Sequence, residues 1–129
     1  MRSILFFVLI LFFLLPNKHF PIHHHPDENE FLVTVQKMPV LIGGYELLQK
    51  RVKYPEAART KAIEGKVYIL AYILETGECV DAKIVRGIGY GCDEESIKAV
   101  LASKFIPGEN NSVKVKSKLI LAINFKLNY

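Results

Sequence analysis

Four groups of residues in this chain are of types that could do chemistry. Asp93, Glu94 and Glu95 form a local carboxylate triplet. Paired carboxylates can share general acid and general base work. No nucleophile or metal-binding partner accompanies them along the chain. Three acids after a glycine corner suit a helix start, with Asp93 as the N-cap and the charges opposing the helix dipole. The four histidines, His19, His23, His24 and His25, fall in Asn17 to Glu30 (NKHFPIHHHPDENE). Imidazoles bind metals, but adjacent histidines on a flexible tether have no preorganised geometry and no thiolate partner nearby. A solvated linker accounts for them, and no metal site is expected.

Cys79 and Cys92 invite a disulfide in an oxidising compartment. Their places argue against it. Cys79 starts a β-prone run and Cys92 lies past the far end of that run. Seven strand residues span roughly 23 Å at ~3.3 Å each, whereas a disulfide needs alpha carbons within ~7 Å. Two free, partly buried thiols are expected. Gly87-Ile88-Gly89-Tyr90-Gly91 is glycine-rich. It lacks the Lys-Ser or Lys-Thr of a phosphate loop and the strand-helix-strand context of a dinucleotide fingerprint. It reads as a strand-to-helix corner. No catalytic residue and no cofactor follow from these groups, so an enzyme is not expected.

The chain that must position them has 129 residues, enough for one domain with accessories. Half the residues are hydrophobic and 23% are charged, a globular balance. The net charge of +4 does not point to nucleic acid, because the bases alternate with apolar residues along strands and form no basic helix face. Ile4 to Leu15 (ILFFVLILFFLL) is uncharged and follows Arg2. Crossing a membrane takes ~20 apolar residues, so this shorter run fits a signal-peptide core better. No small-x-small cleavage site follows it. Export is expected, with residues 1–16 as a signal peptide or as a short inner-membrane anchor through residues 4–15. The run contains no cysteine, so no lipidated N-terminus is expected. Residues 17–37 read as a flexible tether, with Phe31 to Val35 (FLVTV) as a short β-prone run that pairs or packs. Residues 38–129 read as the domain.

Within that domain, Tyr45 to Val52 has helical apolar spacing, and Glu56 to Ala62 continues as helix after Tyr54-Pro55. Lys66 to Leu74 (KVYILAYIL) is a strand with two apolar faces: Val67, Ile69, Ala71 and Ile73 on one, Tyr68, Leu70, Tyr72 and Leu74 on the other. The second face is therefore covered by something, or is a contact surface. Glu75 to Glu78 makes a hairpin turn around Gly77. Cys79 to Arg86 is the next strand, with Val80, Ala82 and Ile84 on its apolar side. Ile97, Val100 and Leu101 give a helix its buried stripe. Phe105-Ile106-Pro107-Gly108 stops that helix. Val113 to Asn128 is read as one long final strand, with Lys114, Lys116, Lys118, Asn124 and Lys126 on one side. Lysines of this kind guard an edge strand against uncontrolled pairing, and the same edge can accept a chosen peptide. The order gives an α+β domain: a three-stranded antiparallel sheet with two helices on one face.

The chain resembles the C-terminal domain of the TonB energy-transducer family, in its Bacteroidetes-type versions. The residues that carry the likeness are Met38-Pro39 with Gly43-Gly44, Tyr54-Pro55, Ala57-Ala58, Ile63 to Val67, Gly77, Asp81, Val85 to Gly89, Gly91 to Glu95, Phe105 to Gly108, and Ile123 to Leu127. The likeness covers about Met38 to Leu127 and rests on order and spacing. It implies a periplasmic domain that grips a short segment of an outer-membrane receptor by adding it as a strand beside the last strand. Carried onto this sequence, it assigns partner binding to Lys118, Leu119, Ile120, Leu121, Ala122, Ile123, Asn124 and Phe125. Arg51, Val52 and Lys53 are the side contacts. It further implies inner-membrane motor proteins as partners, and transport across the outer membrane as the process served. The N-terminal half departs from the family, which has a longer membrane helix with polar residues and a long Pro-rich rod. Asn17 to Lys37, fully stretched, reaches about 75 Å, which leaves energy coupling open. The alternative reading is an envelope assembly module that pairs with another protein or forms a homodimer, supported by the doubly apolar strand.

Overall fold

The computed structural model describes residues 25–128. The apolar run Ile4 to Leu15 and three of the histidines, His19, His23 and His24, lie outside the described residues. Among those described, no helix is long and apolar enough to cross a membrane.

After a 3-10 turn at Glu28–Glu30, the elements run β1 (Val40–Leu41), α1 (Gly44–Arg51), α2 (Glu56–Thr60), β2 (Gly65–Ile73), β3 (Cys79–Arg86) and α3 (Cys92–Leu101). Then come β4 (Phe105–Ile106), β5 (Gly108–Asn110), β6 (Val113–Val115) and β7 (Ser117–Phe125). The main sheet has the order β3-β2-β7, antiparallel throughout. The α+β class and the three-stranded sheet are as expected. Among the described residues there are three α-helices rather than two, because Val52–Pro55 is extended and divides α1 from α2.

The run of β-branched and aromatic residues in β2 makes it the central strand. Its inner side chains, Val67, Ile69, Ala71 and Ile73, are buried, as are Leu121, Ile123 and Phe125 of β7 beside them. Leu48 of α1, Ala58 of α2, and Ala99 and Val100 of α3 close over this face. Each large aliphatic side chain so buried contributes about 1.5–3 kcal/mol, which makes the inner face the main source of stability. The buried stripe of α3 is Cys92, Ser96, Ala99 and Val100, while Leu101 is exposed. That is one position round from the stripe read in the sequence. Small residues at the contact let the helix backbone approach β2 and β3, and the Ser96 hydroxyl donates to Cys92 O at 2.7 Å instead of facing water.

Three further expectations change. Asp93 is not the cap of α3. Gly91, at φ 84°, takes the N-cap position, and the Asp93 carboxylate accepts from Ile88 N–H at 2.9 Å and from Gly89 N–H at 3.3 Å. The acid thus ties the glycine corner to the first helical turn. The final strand is not continuous. β6 turns back through Asn111 and Ser112, both left-handed, to pair with β5, and β7 begins only at Ser117. An alternating pattern survives such a break, so the sequence conceals it. Phe105–Ile106 does more than stop a helix: it pairs with Val40–Leu41.

The hairpin between β2 and β3 is held at Gly77, where φ is 87° and the Phe105 N–H donates to Gly77 O at 2.9 Å. A Cβ there would fall 1.9 Å from Phe105 O. Both cysteines are free, Cys92 buried and Cys79 partly so. Burial pushes the Cys79 thiol up to about 11, and its Sγ–H donates to Asp81 O.

Residues 25–37, within the stretch that composition assigns to the tether, cross the outer face of the sheet as a strap. Glu28 pairs with Lys83 on β3, and Glu30 with Lys116 beside β7. Between them Phe31 sets its ring edge-on against Tyr72 of β2, with centroids 5.3 Å apart. Exposed ion pairs are worth ~0–1 kcal/mol, so the Phe31–Tyr72 contact is the stronger anchor. It covers the second apolar face of β2 at one end, leaving Tyr72 1% and Phe31 4% exposed. Val35 is buried as well. The strap then runs beside β5, where Lys37 and Glu109 exchange two backbone hydrogen bonds.

Candidate functional site

The sheet has two edges, and β7 is the regular one. Its register with β2 runs without interruption from Gly65↔Phe125 to Ile73↔Ser117. In an antiparallel ladder the peptide groups of alternate residues turn away from the neighbour. Two sets of bonds identify which residues of β7 do so. Near its start, Leu32 N–H donates to Lys116 O at 3.0 Å, and Lys118 N–H donates to Leu32 O at 2.8 Å. At its end, Gln49 Nε2 donates to Asn124 O at 2.7 Å, and Asn124 N–H donates to Gln49 Oε1 at 3.2 Å. The even-numbered residues therefore face outward. Among the described residues, no strand pairs with β7 on this side beyond the single parallel bridge at Leu32. The outward groups of Ile120 and Ala122 thus form a short open edge between two stops.

Each stop has a local cause. Leu32 is delivered by the strap, which Phe31 fixes one residue earlier. Gln49 lies on α1, where its primary amide supplies one donor and one acceptor in the arrangement of a peptide unit. It seats on Asn124 as a neighbouring strand would.

The residues named from the sequence separate into three groups. Lys118, Ile120, Ala122 and Asn124 have outward peptide groups, with side chains on the outer face of the sheet. Ile120 is 55% exposed, and the Lys118 ammonium lies 5.3 Å from the centre of the Tyr72 ring. Leu121, Ile123 and Phe125 are buried on the inner face and Leu119 is half-buried there. Their side chains build the core, and Phe125 also meets Tyr54 edge-on at 5.4 Å. Arg51 ends the helix that faces this edge, and Val52 and Lys53 follow it. Arg51 Nη1 donates to Ala102 O at 3.2 Å, which ties it to the end of α3 and not to β7. Val52 packs against the core, and Lys53 is exposed.

Gln49 is the residue that reading the sequence missed. Its one signal is an amide on the helix before Tyr54-Pro55, and its partner lies 75 positions away.

Beside the open edge lies an apolar slot of about 270 Å³, lined by Pro39, Val40, Leu41, Gly44, Tyr45, Leu119 and Leu121. No residue of β2 lines it, so it sits on the free side of β7. Among the described residues no three His, Cys, Asp or Glu side chains converge as a metal site would require.

The family model for the Gram-negative bacterial TonB protein C-terminal matches residues 50–127, more than half of the chain. Among solved structures, the NMR structure of the Helicobacter pylori TonB-CTD is similar, with 18% identity and a TM-score of 0.50, covering 63% of this chain and 86% of that one. The solution structure of the Pseudomonas aeruginosa TonB CTD has 22% identity and a TM-score of 0.47, covering 60% and 79%. At 18% identity the likeness to the Helicobacter pylori domain is one of fold. No curated protein matches.

Proposed function

From the premise that this chain belongs to the TonB C-terminal family, we propose that it binds an extended segment of a partner protein by adding it as a fourth strand to the main sheet along β7. The observation that carries this reading is the open edge at Ile120 and Ala122, which adjoins an uninterrupted ladder and is bounded by Leu32 and Gln49. A strand edge of this kind supplies affinity through main-chain bonds and specificity through alternate side chains. The partner is a periplasmic segment of an outer-membrane receptor or another envelope protein. The role is binding without catalysis, in a periplasmic domain that serves energy-coupled transport. Residues 1–16 export the domain, as a signal peptide or as a short inner-membrane anchor.

Leu32 supports the same mode from within the molecule, because an extended segment already bonds this edge in parallel. Arg51 contributes through the position of α1, and Lys53 is the side chain of its neighbourhood free to meet a partner.

Hydrogen exchange of the Ile120 and Ala122 amides, followed while synthetic peptides from receptor plug segments are added, tests the proposal. Protection of both amides is expected. A folded chain whose edge amides stay unprotected with every such peptide would sink it. Pairing of two copies through β7 is the second reading, favoured by the same open edge. Sedimentation equilibrium separates the two, since a monomer without peptide rules out the paired form.

A further inference from the structure

The slot beside β7 gives the proposed added strand a side-chain preference. In a sheet, side chains of laterally adjacent residues point to the same face. Residues of an added strand that lie beside Leu119 and Leu121 therefore point inward, toward the helices. The slot lies at that level and on that side, with Leu119 and Leu121 as one wall. The other wall is the entry segment: Pro39, Val40 and Leu41, then Gly44 and Tyr45 at the start of α1. Small-molecule sites usually enclose ~300–1,000 Å³. A slot of about 270 Å³, open along one side, is small for such a ligand and ample for a side chain. Val40 is 55% and Tyr45 54% exposed, while Pro39 and Leu41 are buried, so this apolar wall is open at Val40 and Tyr45. No residue that lines it ionises as a carboxylate, ammonium or imidazole.

Resting on strand addition along β7, we infer that the slot is a subsite selecting one apolar side chain, of valine to methionine size, at the inward-facing position of the added strand. The occupant is thus an extended peptide with an apolar residue between neighbours that face the outer side. Pro39, Val40, Leu41, Gly44 and Tyr45 all precede residue 50, where the family match begins. One wall of the slot is therefore supplied by a part of this chain outside the matched region, and the other, Leu119 and Leu121, by a part within it.

Selection of short random linear peptides on the full-length chain tests the subsite. Hydrogen exchange of the Ile120 and Ala122 amides reports strand addition for each enriched peptide. Peptides that protect both amides are expected to share one apolar position. Replacing that residue with Asp weakens binding roughly tenfold or more, the scale on which an apolar pocket discriminates. Tyr45→Asp, at an exposed site that folding tolerates, removes the preference, and Val113→Asp, exposed on β6, leaves it intact. Peptides that protect the amides but show no apolar position, or a preference unchanged in Tyr45→Asp, overturn the subsite and leave strand addition standing. No peptide that protects either amide overturns both, as does protection that arises between two copies with no peptide present.

Discussion

The two edges of the main sheet are built in opposite ways. Along β3 the register with β2 slips twice, between Tyr68 and Ile69 and between Tyr72 and Ile73. Each slip leaves one extra residue, Val85 and Val80, and both are exposed. Bulges twist an edge and break its run of peptide groups. Charged side chains stand along the same strand, with Asp81 facing His25 and Lys83 paired with Glu28. This is an edge protected against pairing. Along β7 there is no slip, the exposed side chain at mid-strand is Ile120, and the ends are stopped by Leu32 and Gln49. One sheet thus carries one closed edge and one edge left open over a defined length. Edge chemistry, more than fold class, distinguishes the two sides of this sheet.

The comparison can be broken by removing what holds each edge. Phe31→Ala takes away the ring that covers Tyr72 and fixes the Leu32 stop. A buried aromatic truncated to alanine costs about 3 kcal/mol, to be read as a lower midpoint in urea denaturation. A loss below ~1 kcal/mol would show that the ion pairs of the strap hold it instead. Next comes Ile120→Pro. Proline is tolerated where an edge N–H faces solvent, so the fold is retained in circular dichroism. The partner loses a main-chain bond worth about 1 kcal/mol and meets the ring, so affinity falls roughly tenfold. Val85→Lys on the bulged edge leaves affinity within about twofold, as surface changes away from a site usually do. Equal effects at the two edges would end the distinction between them.

Gln49→Leu is a smaller change that sharpens the comparison. Losing two exposed hydrogen bonds lowers stability by about 1 kcal/mol, and it frees the outward groups of Asn124. Strand addition then extends, with the Asn124 amide newly protected when peptide binds. An unchanged protection pattern would show that Gln49 sets no limit. The smallest effect concerns the β3 side. The Cys79 thiol is raised by burial from 9.0 to about 11, with Asp81 adding to the rise. Its protonated form is favoured on folding, so this contribution is fully present below pH 9 and fades as pH rises toward 11. Between those values the wild-type chain should lose more stability than Cys79→Ala, in paired denaturation curves. Parallel curves would mean that the thiol ionises as freely in the folded chain as in the unfolded one.

Much of the scaffold is legible in the residues themselves. The alternation in Lys66 to Leu74 marks β2, and its two apolar faces imply that the second is covered or is a contact surface. Gly77 between two β-prone runs marks the hairpin. Tyr54-Pro55 and the Gly87 to Gly91 corner mark where helices begin. The candidate edge at Lys118 to Phe125 follows from its family likeness and from its place as the last strand. What the residues misreport is local in appearance and tertiary in cause. Asp93 looks like a cap, yet the left-handed Gly91 takes that place and frees the carboxylate for Ile88 and Gly89. Val113 to Asn128 alternates throughout, yet Asn111 and Ser112 turn β6 back onto β5.

The sequence by itself determined the class of the fold, the strand with two apolar faces and the order of the turns. These depend on periodicity and on backbone restrictions at glycine and proline, which act over a few residues. Only the tertiary structure decided which strand edge stays open and for how long. A strand's alternation reports which side chains are buried and is the same whether a neighbour lies to its left or its right. The neighbours that settle the matter come from far along the chain: Gln49 bonds Asn124, and Leu32 bonds Lys116 and Lys118. Phe31 covers Tyr72 by the same long reach. These contacts form only when the core has brought α1 and the strap against β7, so no local pattern encodes them.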